Sequence, residues 1–261
     1  METKAKTKTG FEKIFKRILL VCSILLTAEL VWLFVVTPCA PLSSVDIKTI
    51  DGVTRNDVLA MAGITPRSSY MSVNVKEVEE SLMRNPLISS AQVIKHFPED
   101  VEIVLSGREP CAVSLASVNG KSIPLFYDKE GVIFKIGNTD VPNIPSTVPL
   151  ISGLQFGNIV IGTKLPEFLL PLLDDIEEVK TKSPELLSVI SEIHVSKKTY
   201  DGFDLILYPA YNTVKIRLGA DLKDETLRYM LLLLDVLKEK NLHVDEIDFR
   251  TGTASYTVKG I

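Results

Sequence analysis

Residues 18–36, "ILLVCSILLTAELVWLFVV", constrain this chain more than any other stretch. Only Ser23, Thr27 and Glu29 interrupt the apolar side chains. As a helix, nineteen residues rise about 28 Å, close to the roughly 30 Å hydrocarbon core of a bilayer. Residues 1–17 carry six basic and two acidic side chains, and the first charge after the run is Asp46. The positive-inside rule then expects residues 1–17 in the cytoplasm and the body outside. A cleaved signal peptide has a shorter apolar core and small residues before the cut. Here Ala40 is followed by Pro41, so an uncleaved anchor is expected. Glu29 lies past the middle of the span, where a carboxylate costs on the order of 3 kcal/mol. Two readings stand: contact with a partner helix, or snorkelling toward the outer interface near Trp32.

The formal charge of the whole 261-residue chain is -4, but residues 38–261 alone carry -7. An acidic body argues against wrapping nucleic acid, which demands a basic face, and against adhesion to anionic lipid. Cys22, Cys39 and Cys111 are three, too few and too scattered for a disulfide framework or a zinc site. Cys39 and Cys111 either pair in an oxidising compartment or remain thiols.

The body begins with a strand over Val45–Thr49, ended by Asp51-Gly52. Thr54 and Asp57 make a capping-box-like start for a helix that Gly63 ends. A second helix starts at Asn74 and stops at Asn85-Pro86. Alternating residues then predict strands at Ile88–His96 and Val101–Leu105, with "FPED" as the turn. Two helices over a three-stranded sheet complete a two-layer unit. From Cys111 the pattern favours strands: Ala112–Ser117, Ile123–Asp128 and Val132–Lys135, with turns at Asn119-Gly120 and Asp128–Gly131. A helix is expected over Pro166–Lys180, kinked at Pro171, with a short successor begun by Ser183-Pro184. Strands near 192–197, 203–208 and 213–218 precede a helix at Leu222–Lys240. Strands at Val244–Phe249 and Ala254–Lys259 close the chain.

Signs of catalysis are weak. "NGKS", Asn119–Ser122, lacks the first glycine of a phosphate-binding loop, because Leu115 stands there. His96, His194 and His243 have no metal-ligand spacing, and the serines have no evident base. Asp174, Asp175, Glu177 and Glu178 read as a solvated helix face. Leu231–Leu234 cover every side of their helix, so part must face the core. The rest is buried under other elements or forms a partner patch. No cofactor, metal, nucleic acid or small-molecule substrate is expected.

Asn74–Val113 resembles the end of a POTRA domain, specifically that of the bacterial FtsQ/DivIB cell-division family. The residues that carry this are Pro86, Ala91 with Val93, Phe97-Pro98, Val101–Leu105, and Arg108 with Pro110 and Ala112. Phe97 stands where the family usually has tryptophan, and Gly107 where it has glutamate. "YDKEGVIF" (Tyr127–Phe134), "VPLISG", "VKIRLG" and "EIDFR" are similar to motifs of the family's second domain. The resemblance implies an α+β chain: basic tail 1–17, transmembrane helix 18–36, β-α-α-β-β POTRA domain 44–112, and a mixed α/β "β domain" 113–261 with an extended antiparallel sheet. It implies a non-enzymatic divisome scaffold in the cell inner membrane at the septum. Such a scaffold binds FtsB- and FtsL-type single-span partners and connects early components to septal peptidoglycan synthesis. The family's partner-binding edge maps onto Thr251, Thr253, Ser255, Tyr256, Thr257, Val258 and Lys259. Independently, "ASYTVK" is short, free of proline and has nothing after it to pair with, so it is a template for an added strand. The plainer alternative is an edge left unpaired or covered by the helix. At the level of function, an export or outer-membrane-assembly POTRA protein and a membrane-anchored hydrolase are the other candidates.

Overall fold

The apolar run of residues 18–36 lies in a continuous helical rod at the start of the chain. This computed structural model describes residues 4–118, 120–137, 144–157, 159–199 and 202–258, with residues 4–11 and 257–258 described by backbone alone. Helix α1 (Lys4–Val31) runs into a π-turn (Trp32–Val36) and a one-turn helix α2 (Thr37–Cys39). Over Glu12–Cys39 the rod is long and apolar enough to cross a membrane. Pro38 accounts for the widened turn: it has no N–H, and its ring excludes the carbonyl four residues back. Thr37 compensates, donating its N–H and, at 3.0 Å, its hydroxyl to the Trp32 carbonyl.

Packing divides the chain into residues 1–107 and 108–261. The folded part of the first unit is β1 (Ser44–Lys48), α3 (Arg55–Ala62), α4 (Val75–Met83), β2 (Ile88–His96) and β3 (Asp100–Gly107). Its sheet order is β1-β3-β2, with β1 parallel and β2 antiparallel to β3. The Thr54–Asp57 capping box is formed in both directions, at 3.0 Å and 3.3 Å. Gly63 closes α3 at φ 65, in the left-handed region that favours glycine. Asn74 caps α4 without a side-chain bond. Val58, Val78 and Leu82 of the helices meet Ile88, Val93, Val101 and Ile103 of the sheet in one core. Each such buried aliphatic side chain contributes roughly 1.5–3 kcal/mol.

Among the described residues, the second unit has nine strands in the order β12-β11-β10-β9-β8-β7-β4-β5-β6. They are β4 (Ala112–Val118), β5 (Lys121–Tyr127), β6 (Ile133–Ile136), β7 (Leu150–Ser152), β8 (Ile190–Lys197), β9 (Phe203–Pro209), β10 (Lys215–Leu218), β11 (Val244–Asp248) and β12 (Ser255–Val258). Neighbours are antiparallel except at β4–β7, β7–β8 and β10–β11. The expected Asn119-Gly120 turn rests partly on Asn119, which lies outside the described residues. β7 has three residues, yet it pairs on both sides and joins the two halves of the sheet. At Gly153, just after it, φ is +81 and a Cβ would collide with the Val195 carbonyl.

The helices are α5 (Leu170–Lys182), α6 (Pro184–Ser188) and α7 (Asp224–Glu239). Pro171 does not kink α5. It sits in the first turn, after a 3-10 turn at Glu167–Leu169, where its missing N–H has no helical partner to lose. Leu172, Leu173, Ile176, Leu187, Leu227, Met230 and Leu234 are buried with the inward residues of the sheet. Arg108 begins this unit, bonded to Asp128 and, at 3.0 Å, to Glu130. Burial pulls the Arg108 pKa down, and the hydrogen bonds and negative charges of Glu130 and Asp128 together more than reverse it.

Candidate partner-binding edge

β12 ends the nine-stranded sheet, and among the described residues it pairs with β11 alone. The register is Asp248↔Ser255, Ile247↔Tyr256, Glu246↔Thr257 and Val244↔Val258, with an irregularity before Glu246. In such a ladder one side of the strand bonds its neighbour and the other presents N–H and C=O groups outward. Ser255, Tyr256, Thr257 and Val258 therefore lie on the edge strand. Thr251 and Thr253 do not: both are exposed in the turn that precedes it, because the chain must reverse before it can pair. Lys259 lies outside the described residues.

The turn is built on charge. Arg250 donates to both Asp248 carboxylate oxygens, the shortest contact being 2.6 Å, and to Asp204 of β9 at 3.1 Å. The Arg250 side chain holds the Asp248 carboxyl below the usual aspartate range, against a smaller opposing effect of burial. Arg217 of β10 fixes Glu246 of β11 at 2.8 Å. Gly252 supplies φ +78 at the reversal.

Residues directly opposite in an antiparallel pair share a face. Tyr256, 54% exposed, is thus on the face that Ile247 buries completely. Phe249, two residues after Ile247, meets Tyr229 of α7 edge-on at 5.7 Å. α7 then shows water Tyr229, Leu232 and Val236, while Leu227, Met230, Leu234 and Leu237 are buried. The four leucines divide accordingly: Leu234 is core, Leu231 and Leu233 are half-buried and Leu232 is exposed. Sequence reasoning missed Asp204, Tyr229 and Val236. Helical spacing of 229, 232 and 236 could have flagged the stripe; nothing local connects Asp204 with Arg250.

Glu29 is exposed on α1, about 10 Å of helix before the Val36 end of the apolar run. Cys39 and Cys111 are both free. Cys111 is buried, its thiol donating to the Leu173 carbonyl at 3.4 Å.

One serine does have an imidazole beside it, contrary to expectation. Parallel pairing of β7 and β8 puts Ser152 Oγ 2.7 Å from His194 Nδ1. Ser152 donates its proton to Glu192, however. The imidazole can then only donate to the same oxygen, so the trio is not arranged to make a nucleophile. His96 contacts Glu102 at 3.2 Å, and His243 is exposed. Among the described residues no three His, Cys, Asp or Glu side chains come together as a metal site.

A small β-α-α-β-β unit, joined to one helix long enough to span a bilayer, defines a POTRA-bearing chain. Residues 40–108 match the model of the FtsQ-type POTRA domain. The cell division protein FtsQ of a Geobacter species is 29% identical over 209 residues, covering 79% of this chain and 72% of that one. The cell division protein DivIB of Bacillus cytotoxicus is 25% identical over 206 residues, covering 78% and 73%. The major extracytoplasmic domain of DivIB from Geobacillus stearothermophilus overlays at TM-score 0.32 and 15% identity, over 51% of this chain and 98% of that one, too loosely to carry weight. The chain carries a POTRA domain of the FtsQ type and is similar to the bacterial cell-division proteins FtsQ and DivIB.

Proposed function

We propose that the chain is a divisome scaffold that works by protein contact and not by catalysis. Residues 1–17 stay in the cytoplasm, the helix over 18–36 crosses the inner membrane, and the folded units act outside it at the division septum. The β12 edge takes up a strand from an FtsB-type partner, with an FtsL-type partner beside it. The assembly then connects early division components to septal peptidoglycan synthesis. The observation that supports this reading is the single pairing of β12: its outer backbone groups have no strand against them among the described residues. Backbone addition at such an edge supplies affinity, and side chains like Tyr256 supply selectivity.

Glu29 belongs to the same reading as a polar contact with a partner's helix inside the membrane. Glu29→Leu should leave insertion intact and weaken complex assembly in membranes. Unchanged assembly would leave Glu29 merely tolerated.

The test is localisation in growing cells. A fluorescent protein fused ahead of Met1 should give a band at the constriction site as division begins. Even envelope staining by a functional fusion would contradict the scaffold reading and favour an export or outer-membrane-assembly POTRA protein.

A further inference from the structure

Within the first unit, the end of the membrane-length rod is locked to a loop of the POTRA fold. Met71 N–H donates to the Pro38 carbonyl at 3.2 Å, and Leu42 N–H to the Ser68 carbonyl at 2.9 Å. Pro41 and Ser69 form an isolated bridge. Phe34, two residues before the end of the apolar run, stacks on Phe97 of the β2–β3 turn with ring centroids 5.4 Å apart. Tyr70 meets the same Phe97 ring edge-on at 5.9 Å. Lys95 lies over Tyr70, its Nζ 4.3 Å from the ring centroid and 3.1 Å from the Val73 carbonyl.

These contacts fix a depth. A ring stacked on Phe34 sits where Phe34 sits, and Phe34 belongs to the segment that crosses the bilayer. Phe97 is nevertheless 47% exposed and neighbouring Met71 67% exposed. Trp32, two residues before Phe34, is exposed as well. The cluster thus holds exposed apolar side chains, with Lys95 over its Tyr70 ring. Aromatic rings with a polar rim and adjacent long cations are the composition of the membrane–water boundary.

We propose that Met71 and Phe97 enter the outer headgroup layer of the membrane beside Phe34, so that this end of the POTRA domain rests on the bilayer. The occupant is lipid because the patch continues, ring on ring, from the spanning helix. The contact is apolar insertion by a tethered domain, which an acidic body does not oppose as it would oppose electrostatic adhesion. The inference rests on reading α1 as a membrane span.

The test uses the full chain in phosphatidylcholine–phosphatidylglycerol vesicles, some containing lipid brominated on the acyl chain. Trp32 is the only tryptophan, so the native chain reports on the span itself. The double variant Trp32→Phe, Phe97→Trp moves the reporter to the turn. In it, emission should be blue-shifted, should lose most of its intensity to brominated lipid, and should resist acrylamide. Tyr211→Trp in the Trp32→Phe background, at a 91% exposed position, should behave oppositely. If the native Trp32 is quenched by brominated lipid and the residue 97 reporter is open to acrylamide, the proposal fails while the span stands. If neither responds to brominated lipid, the span reading fails with it. A blue-shifted residue 97 reporter indifferent to brominated lipid would mean that protein covers the patch, which also overturns the proposal.

Discussion

Tyr256 of β12 stands opposite Ile247 of β11, on the same face of the sheet. Ile247 is fully buried, yet Tyr256 keeps 54% of its surface in water. The interior face of the sheet therefore continues onto a strand that the protein's own helices leave open.

Tyr256→Ala should weaken capture of the proposed FtsB- and FtsL-type partners by about 2 kcal/mol, roughly thirtyfold, as truncating an anchoring aromatic does. Tyr256→Pro should abolish it, because proline also removes a backbone donor from the strand. The full chain should unfold within a few degrees of wild type in both cases, since among the described residues β12 pairs with β11 alone. Pull-down and thermal melting of the same preparations check the two statements together.

Leu232 offers a second handle. It is 65% exposed on α7, between Tyr229 and Val236. Leu232→Ser should leave stability within about 0.5 kcal/mol of wild type, as for most exposed positions. If a partner segment flanking the added strand packs on α7, the same variant lowers partner affinity. Equal affinity would restrict the contact surface to the strand.

The POTRA unit was legible because its signals are local. Thr54 with Asp57, Gly63 and the alternation through Ile88–His96 each act within a few residues, and each formed as expected. β7 was not legible as a strand. Three residues between Pro149 and Gly153 carry no periodicity, and only pairing on both sides makes Leu150–Ser152 a strand. Pro171 carries no kink because α5 begins at Leu170, one turn later than the apolar pattern from Pro166 suggests. The Ser152–His194–Glu192 contact joins segments some forty residues apart. The edge itself was readable only in part: Ser255–Val258 alternate like a strand, whereas Thr251 and Thr253 are taken by a turn built around Arg250.

That turn should be sensitive to acid. Arg250 depresses the folded-state pKa of Asp248 below its unfolded value. The stabilisation is therefore fully present above the ordinary aspartate range, near pH 4, and is lost as pH falls through the depressed value. Wild type should lose part of its Tm as pH falls below about 4, and Asp248→Asn should be less stable at neutral pH with a flatter acid limb. Parallel acid limbs in the two proteins would remove Asp248 from the account.

Cys111 should be inert. Burial pushes its thiol up to about 12, so almost no thiolate exists at neutral pH. Iodoacetamide applied to the native chain should leave Cys111 unmodified by mass spectrometry and reach it after denaturation, while exposed Cys39 reacts at once. A Cys39–Cys111 bridge in protein isolated without reductant would contradict the packing around Leu173.

The central claim is that β12 receives a partner's strand, and amide hydrogen exchange measures it most directly. The full chain would be compared alone and in complex with the FtsB- and FtsL-type partners proposed for it. The account predicts slowed exchange at Ser255–Val258 in the complex, with the POTRA strands unchanged. A complex that forms while exchange at Ser255–Val258 stays as fast as in the free chain would contradict it.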